Sequence, residues 1–407
     1  MALLPTTATH DARILVFTRA IRSFVDGIAF VVLPAYLLHL GFSGVQIGTV
    51  VAASLLGSAV LTLVTGFVAH RFNPARLLSI ASWIMIITGV AFGLSQSFIL
   101  LVIIGIITTM NPSAGDVSPF LPLEQSLLAD NVGATERTSL FARYALTASL
   151  VGSVGALCAG LPVVIARHFE YADQTGRQAA FIFYGLAGFI LLFAYSHLSD
   201  TSRMRASKTD SALSSKSRRI VFRLSALFSL DAMGGGFATQ AIFALWVFHK
   251  FGISMETLGI VFFAAGTVAA FSSLAAVKIA EHIGLVRTMV FTHIPASVLL
   301  ILVALAPNVW IAMALFILRG LLSQMDVPVR TSYVMAVVAP TERAAAASIT
   351  NVPRSLASAL PPIAAGWMLD QSTFGWPLII CAVCKITYDL LLLKMFKDVR
   401  PPEESNS

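Results

Sequence analysis

Apolar stretches of roughly 20 residues or more recur along this chain, the length at which a helix crosses ~30 Å of hydrocarbon. Inside a bilayer each backbone polar group must be satisfied within its own segment, so runs of this length can fold only as helices. Composition agrees: 57% of the 407 residues are hydrophobic and 12% are charged, with a mean hydropathy of +0.84. Soluble domains carry roughly 25% charged residues. The runs predict about twelve spans, centred near Ile28, Leu56, Ile86, Ile106, Val151, Gly188, Thr239, Gly266, Leu299, Phe316, Ala357 and Val383. The expected fold class is an all-α membrane protein, embedded in the lipid bilayer. The formal charge of +7 does not point to nucleic acid, because the basic residues are scattered over short loops.

Charges inside the runs are the chemically informative residues. Ionisable groups at bilayer depth are costly and persist where they pair or line a polar path. The first run carries Arg19, Arg22 and Asp26 on one helical face, and later runs carry Asp116, Glu124, Asp231, Arg319, Asp326 and Arg330. Arg22 and Asp26 have the spacing of an ion pair within one helix, as do Lys385 and Asp389. Arg319, Ser323, Asp326 and Arg330 form one stripe if their span is a continuous helix. Asp231 stands three residues before Gly234-Gly235-Gly236, where a bend or unwound turn is expected. Pro112, Pro119 and Pro122 interrupt the fourth run. Cys381 and Cys384 lack a second ligand pair and read as packing residues rather than a metal or redox site.

Lys and Arg set the topology. With the N-terminus inside, Arg71, Arg76, Arg137, Arg203, Arg205, Lys208, Lys216, Arg218, Arg219, Arg287, Arg343, Lys394, Lys397 and Arg400 fall on inside loops, against Arg167, Arg177 and Lys250 outside. Both termini are therefore expected in the cytoplasm, with the first run a retained span rather than a cleaved signal. The polar, Ser-rich stretch 199–219 divides the spans six and six. The expected organisation is a six-helix bundle at 1–198, a linker at 199–219, a second six-helix bundle at 220–396 and a tail at 397–407.

The halves resemble each other. Leu40-Gly41-Phe42-Ser43 before the second span echoes Phe251-Gly252-Ile253-Ser254 before the eighth, and Thr135-Glu136-Arg137 echoes Thr341-Glu342-Arg343. Twelve residues before those glutamates stand Glu124 and Arg330, each two positions after a proline (Pro122, Pro328). A duplicated six-span unit explains these matches and predicts two pseudo-symmetric bundles.

With this plan the chain resembles the major facilitator superfamily of secondary transporters over essentially its full length. The stretch Gly66 to Arg76 is similar to the family's loop after span two: Gly66, Arg71 and Arg76 match, whereas His70 stands where Asp is usual and Asn73 where Gly is usual. The resemblance implies a cavity lined chiefly by spans one, four, seven and ten, and a conformational latch, a charge pair at this loop, that is weakened or rebuilt here. Candidate gating residues are Gly66, His70, Arg71, Arg76, Glu124, Asp326, Arg330, Glu136, Arg137, Glu342 and Arg343. Candidate substrate residues are Arg22, Arg319, Ser323 and Arg354. Candidate proton carriers are Asp26, Asp231 and Asp116, with Asp231 favoured because no basic residue lies one turn away on its own helix.

The function expected is secondary transport of a small polar or anionic organic solute by alternating access, coupled to protons, by a monomer in a bacterial inner membrane. No cofactor is expected, and the absence of a Gly-x-x-x-x-Gly-Lys-Ser/Thr loop argues against an intrinsic ATPase. The alternative within transport is drug–proton antiport, although Gly152-Ser153-Val154-Gly155 with Gly160-Leu161-Pro162 does not reproduce the family's efflux signature in span five. The alternative from another class is a membrane enzyme or a non-transporting sensor. No His-x-x-x-His ligand pair or nucleophile constellation supports the enzyme.

Overall fold

The same turn is built twice. Gly41 and Gly252 each end a helix with a positive φ, +79° and +62°, a conformation that costs little only without a Cβ. Two residues on, Ser43 and Ser254 cap the next helix, accepting hydrogen bonds from the amides of Gln46 at 3.3 Å and Thr257 at 3.2 Å. The repeated sequence is thus a repeated helix–turn–helix.

The computed structural model describes residues 9–68, 72–113, 118–130, 134–199, 214–339 and 342–396. Spans one to three are the helices His10–His39, Gly44–Val68 and Pro74–Leu94. Span four is split into Phe98–Ile107 and Phe120–Asp130, and span five runs Ala134–Leu157, a 3-10 turn Cys158–Gly160, then Leu161–His168. Span six is Asp173–Ser196. Span seven is Ser215–Phe237 followed by Gln240–Phe251, span eight Met255–Ile283 and span nine Leu285–Leu305. Span ten is Val309–Ser323 followed by Asp326–Ala336, span eleven Arg343–Ala359 followed by Pro361–Gln371, and span twelve Trp376–Phe396. Among the described residues nine segments are long and apolar enough to cross a membrane, and spans four, eleven and twelve complete the twelve.

Each break has a local cause. In span four Pro112 lies in a turn and Pro119 and Pro122 sit at the start of the second helix, where missing amide donors are harmless. In span seven the first helix stops just after the three glycines, and Thr239 caps the second by accepting from the Ile242 amide at 3.2 Å. Span ten departs from expectation. Its stripe is not one continuous helix, because the helix ends at Ser323 and a new one starts at Asp326. Pro328 lacks an amide proton and its ring would clash with the carbonyl four residues earlier, at Gln324, which is where the chain turns.

The chain divides into two units, Met1–Lys208 with Ile253–Phe263, and Thr209–Gly252 with Ala264–Ser407. In the first unit span one packs against spans five and six, and span three against span six. In the second, span seven packs against spans eleven and twelve, and span nine against span twelve, the same partners displaced by six. The two bundles are pseudo-symmetric. Large apolar side chains such as Leu94, Ile99 and Phe193 stand exposed, a surface suited to lipid rather than water.

Small residues set the helix spacing. A Cβ built on Gly27 would stand 2.1 Å from the Gly152 carbonyl oxygen, and one on Gly155 2.0 Å from that of Phe24, so spans one and five meet backbone to backbone. In the second unit a Cβ on Gly236 would stand 2.5 Å from the Ser358 carbonyl oxygen, whereas one on Gly235 finds nothing nearer than the Lys385 Nζ at 3.9 Å. Gly236→Ala is therefore expected to lower stability by about 1–3 kcal/mol as span eleven is pushed away. Gly235→Ala should change it by less than about 0.5 kcal/mol. Thermal unfolding in detergent, followed by tryptophan fluorescence, checks the pair; equal losses would contradict the packing.

Candidate functional site

Two buried ion clusters occupy the units, one in each. In the first, Glu124 is fully buried on span four and faces spans one, five and six. It forms a salt bridge with Arg22, accepts a short hydrogen bond from the Tyr144 hydroxyl, and accepts from Tyr195 at 2.6 Å and Thr18 at 3.0 Å. Arg22 also donates to the Ser118 hydroxyl at 3.1 Å and lies 4.4 Å over the Phe120 ring. Arg19 lies 5.3 Å over the Tyr144 ring. A carboxylate with this many donors is fixed in position.

The expected Arg22–Asp26 pair does not form. Arg22 is turned to Glu124, and Asp26 instead accepts from the Asn111 amide at 3.4 Å, beside the Tyr184 hydroxyl, where span four is unwound. The competing partner lies on another span, which helical spacing alone does not reveal. Asp26 makes no salt bridge among the described residues.

In the second unit Asp231 is the hub. It accepts from Lys385 Nζ at 2.7 Å and from Arg330 at 3.4 Å, and Arg330 also pairs with Asp326 at 3.0 Å. The Arg330 guanidinium lies 5.6 Å over the Phe228 ring. His293, on span nine, faces Asp389 through Nδ1 at 3.0 and 3.1 Å, and its Nε2 lies 3.4 Å from Lys385 Nζ and 3.8 Å from Asp231. Asp231 has no basic residue one turn away on its own helix, but three basic neighbours reach it from other helices. One expectation is corrected here. Lys385 and Asp389 do not pair with each other: Lys385 is held by Asp231 and Asp389 by His293.

The clusters are related. Glu124 and Arg330 are the matched residues of spans four and ten, and Arg22 and Asp231 stand nineteen and twenty-one residues before Gly41 and Gly252. Each unit thus joins its first and fourth spans by a buried ion pair, with the signs exchanged.

Arg319 is placed differently. It is half-buried on span ten, 6.0 Å over the Phe316 ring, and its Nε is shielded from solvent without a hydrogen-bond acceptor. Among the described residues no carboxylate pairs with it. Ser323 ends the same helix, and Arg354 is half-buried on span eleven with its Nε shielded. A small cleft of about 30 Å³ in this unit is lined by Phe228, Arg330, Thr331, Met335, Thr350 and Asn351, among others.

The gating candidates are scattered. Gly66 lies near the end of span two in open space, and Arg76 is exposed in the first turn of span three. Glu342 accepts from the Ser217 hydroxyl at 2.5 Å and the Ser214 amide at 2.6 Å, tying the starts of spans seven and eleven. Those hydrogen bonds, Ser217 foremost, hold its carboxyl below the ordinary glutamate range. His70, Arg71 and Asp116, and the side chains of Glu136, Arg137 and Arg343, lie outside the described residues. Sequence reasoning missed Tyr144, Tyr195 and His293. His293 had a signal: it interrupts the apolar run Leu285–Leu305, where a polar residue is expensive.

About twelve spans, with buried ion clusters among them, define a polytopic membrane protein. The Major Facilitator Superfamily profile matches residues 15–248 and 224–407, and the chain belongs to that family. It is a secondary transporter of a small-molecule substrate, a carrier rather than an enzyme. An uncharacterized membrane protein of Saccharomyces cerevisiae is 23% identical over 96% of this chain and 95% of its own length. Quinolone resistance protein NorA of Staphylococcus aureus is 23% identical over 84% of this chain and 86% of its own. Among solved structures, a bacterial homologue of the human lysosomal transporter Spinster, inward-facing and occupied, aligns with a TM-score of 0.75 at 15% identity, over 96% and 97% of the two chains.

Proposed function

We propose that this carrier moves a small polar or anionic organic solute by alternating access, coupled to protons. The observation that carries the reading is Arg319, a half-buried guanidinium with a shielded Nε and no carboxylate partner among the described residues. An always-charged group at membrane depth is costly unless an anion meets it, and a substrate carboxylate or phosphate supplies the bidentate partner. Asp26 supports the coupling as a membrane carboxylate without a salt bridge. Asp231 holds a structural charge network rather than a free proton. The Lys and Arg asymmetry favours a cell-membrane protein with both termini in the cytoplasm.

Arg319→Ala is expected to weaken solute binding about 10- to 100-fold, the loss of one or two charge-assisted hydrogen bonds. Stability should be kept, since no partner is left unpaired. Uptake of pooled labelled organic anions into liposomes under a pH gradient measures the first effect and thermal unfolding the second. Undiminished uptake in the variant would remove the anion reading. Drug efflux is the second reading, favoured by the likeness to NorA. Proteoliposomes that expel cationic dyes and ignore the anion pool would decide for it.

A further inference from the structure

We infer that His293 and Asp389 form a proton-binding site, and that its occupancy decides whether Lys385 or the His293 imidazolium holds Asp231. The inference rests on the proton-coupled reading and gives the proton a place outside the candidates on spans one and four. His293 is 4% exposed and Asp389 fully buried, so the ring is held where water cannot freely exchange partners with it.

The geometry assigns the ring's two states. Asp389 lies within hydrogen-bond reach of Nδ1 through both oxygens, so Nδ1 carries a proton in either state. Nε2 faces Lys385 Nζ at 3.4 Å and Asp231 Oδ1 at 3.8 Å. With Nε2 bare, its lone pair accepts from the ammonium, and Lys385 bridges the ring and Asp231. With Nε2 protonated, two donors of like charge confront each other at that distance. One must leave, and the nearest acceptor for the Nε2 proton is Asp231.

Charge points the same way. Among the described residues, the cluster holds within ion-pair distance three carboxylates, Asp231, Asp326 and Asp389, against two fixed cations, Arg330 and Lys385. Among these five groups the carboxylates exceed the cations by one while the ring is neutral. One proton from water, added to Nε2 with Nδ1 keeping its own, takes those groups from −1 to zero and makes two salt bridges of His293. Around the ring, span twelve contributes Lys385, Tyr388 and Asp389, span seven Asp231, and span ten Arg330 and Asp326 through Asp231. Arg354 on span eleven acts on Asp231 from further off, and Arg319 on Asp326. The proton therefore enters on spans nine and twelve and is felt on spans seven and ten through Lys385.

Protein labelled with 15N-histidine and 15N-lysine in lipid nanodiscs tests this with the proton alone as ligand. From about pH 8 to about pH 5, where histidine ordinarily changes charge, one ring should pass from the Nδ1-protonated neutral form to the doubly protonated form. That ring is identified by its loss in His293→Gln. The Lys385 ammonium signal should shift over the same interval in the wild type and stay still in His293→Gln. In Asp389→Asn, which keeps the side chain's shape, the ring should lose its low-field Nδ1 proton signal and remain singly protonated through most of the interval. A ring fixed in one state, an unchanged titration in Asp389→Asn, or a Lys385 shift that persists in His293→Gln would overturn the inference. No solute is present, so a ring that fails to titrate counts against this site alone. Flux indifferent to a pH gradient counts against the coupled carrier instead.

Discussion

Glu124→Leu is expected to destabilise the first bundle by about 3–5 kcal/mol, the cost of leaving a buried charge without its partner. Glu124 is the only described carboxylate paired with Arg22, and Thr18, Tyr144 and Tyr195 all point their hydroxyls at it. Removing it leaves the guanidinium without its carboxylate and takes the acceptor from both tyrosine hydroxyls, while Thr18 keeps the Leu15 carbonyl. Glu124→Gln keeps the shape and part of the hydrogen bonding, so its loss should be smaller. Replacing both members, Arg22→Met with Glu124→Leu, should recover much of the deficit, because the uncompensated charge is gone. Chemical or thermal unfolding of the purified variants in one detergent gives the comparison. A double variant no better than Glu124→Leu would mean that the pair is not the unit of stability.

The second large effect is expected at Asp231. Asp231→Asn leaves Lys385 and Arg330 facing each other, with Asp326 bonded to Arg330 alone. A loss of about 3–5 kcal/mol should follow, and adding Lys385→Met should return part of it. The coupling energy between positions 231 and 385 is expected to fall at about 0.5–3 kcal/mol, the range for direct neighbours in one network. Additive effects within about 0.5 kcal/mol would contradict the 2.7 Å contact. Asp231→Asn is thus a poor mimic of a protonated carrier.

Much of the fold was legible because its cause is local. A run of apolar residues must be helical in lipid, and Gly41 and Gly252, each with a capping serine two residues on, specify the same turn by themselves. The break in span seven was legible from three glycines. The break in span ten was not, because Pro328 acts four residues upstream of itself, on Gln324, while the charge spacing through Ser323 and Asp326 still reads as helical. The clusters were half legible. A helical wheel identifies neighbours three and four residues away, which is how Asp326–Arg330 is found. It is silent on the partner of Arg22, which lies 102 residues on, and on that of Asp231, 154 residues on. Where a wheel offers a nearby opposite charge, as at Arg22–Asp26 and Lys385–Asp389, it competes with a partner on another helix. The buried site chose the other helix both times.

The exchanged signs of the two ion pairs constrain how the duplicated chain reached its present form. If both halves began alike, opposite charges have since come to stand at the matched positions Glu124 and Arg330, while their partners Arg22 and Asp231 stand two residues out of register. Neither pair is reversed in place by one substitution, because Arg22→Glu would set two carboxylates face to face, and Glu124→Arg two guanidinium groups. A chimera of two first halves would place a cation on both spans one and seven, and one of two second halves an anion on both. The two bundles are copies in shape that are no longer interchangeable parts.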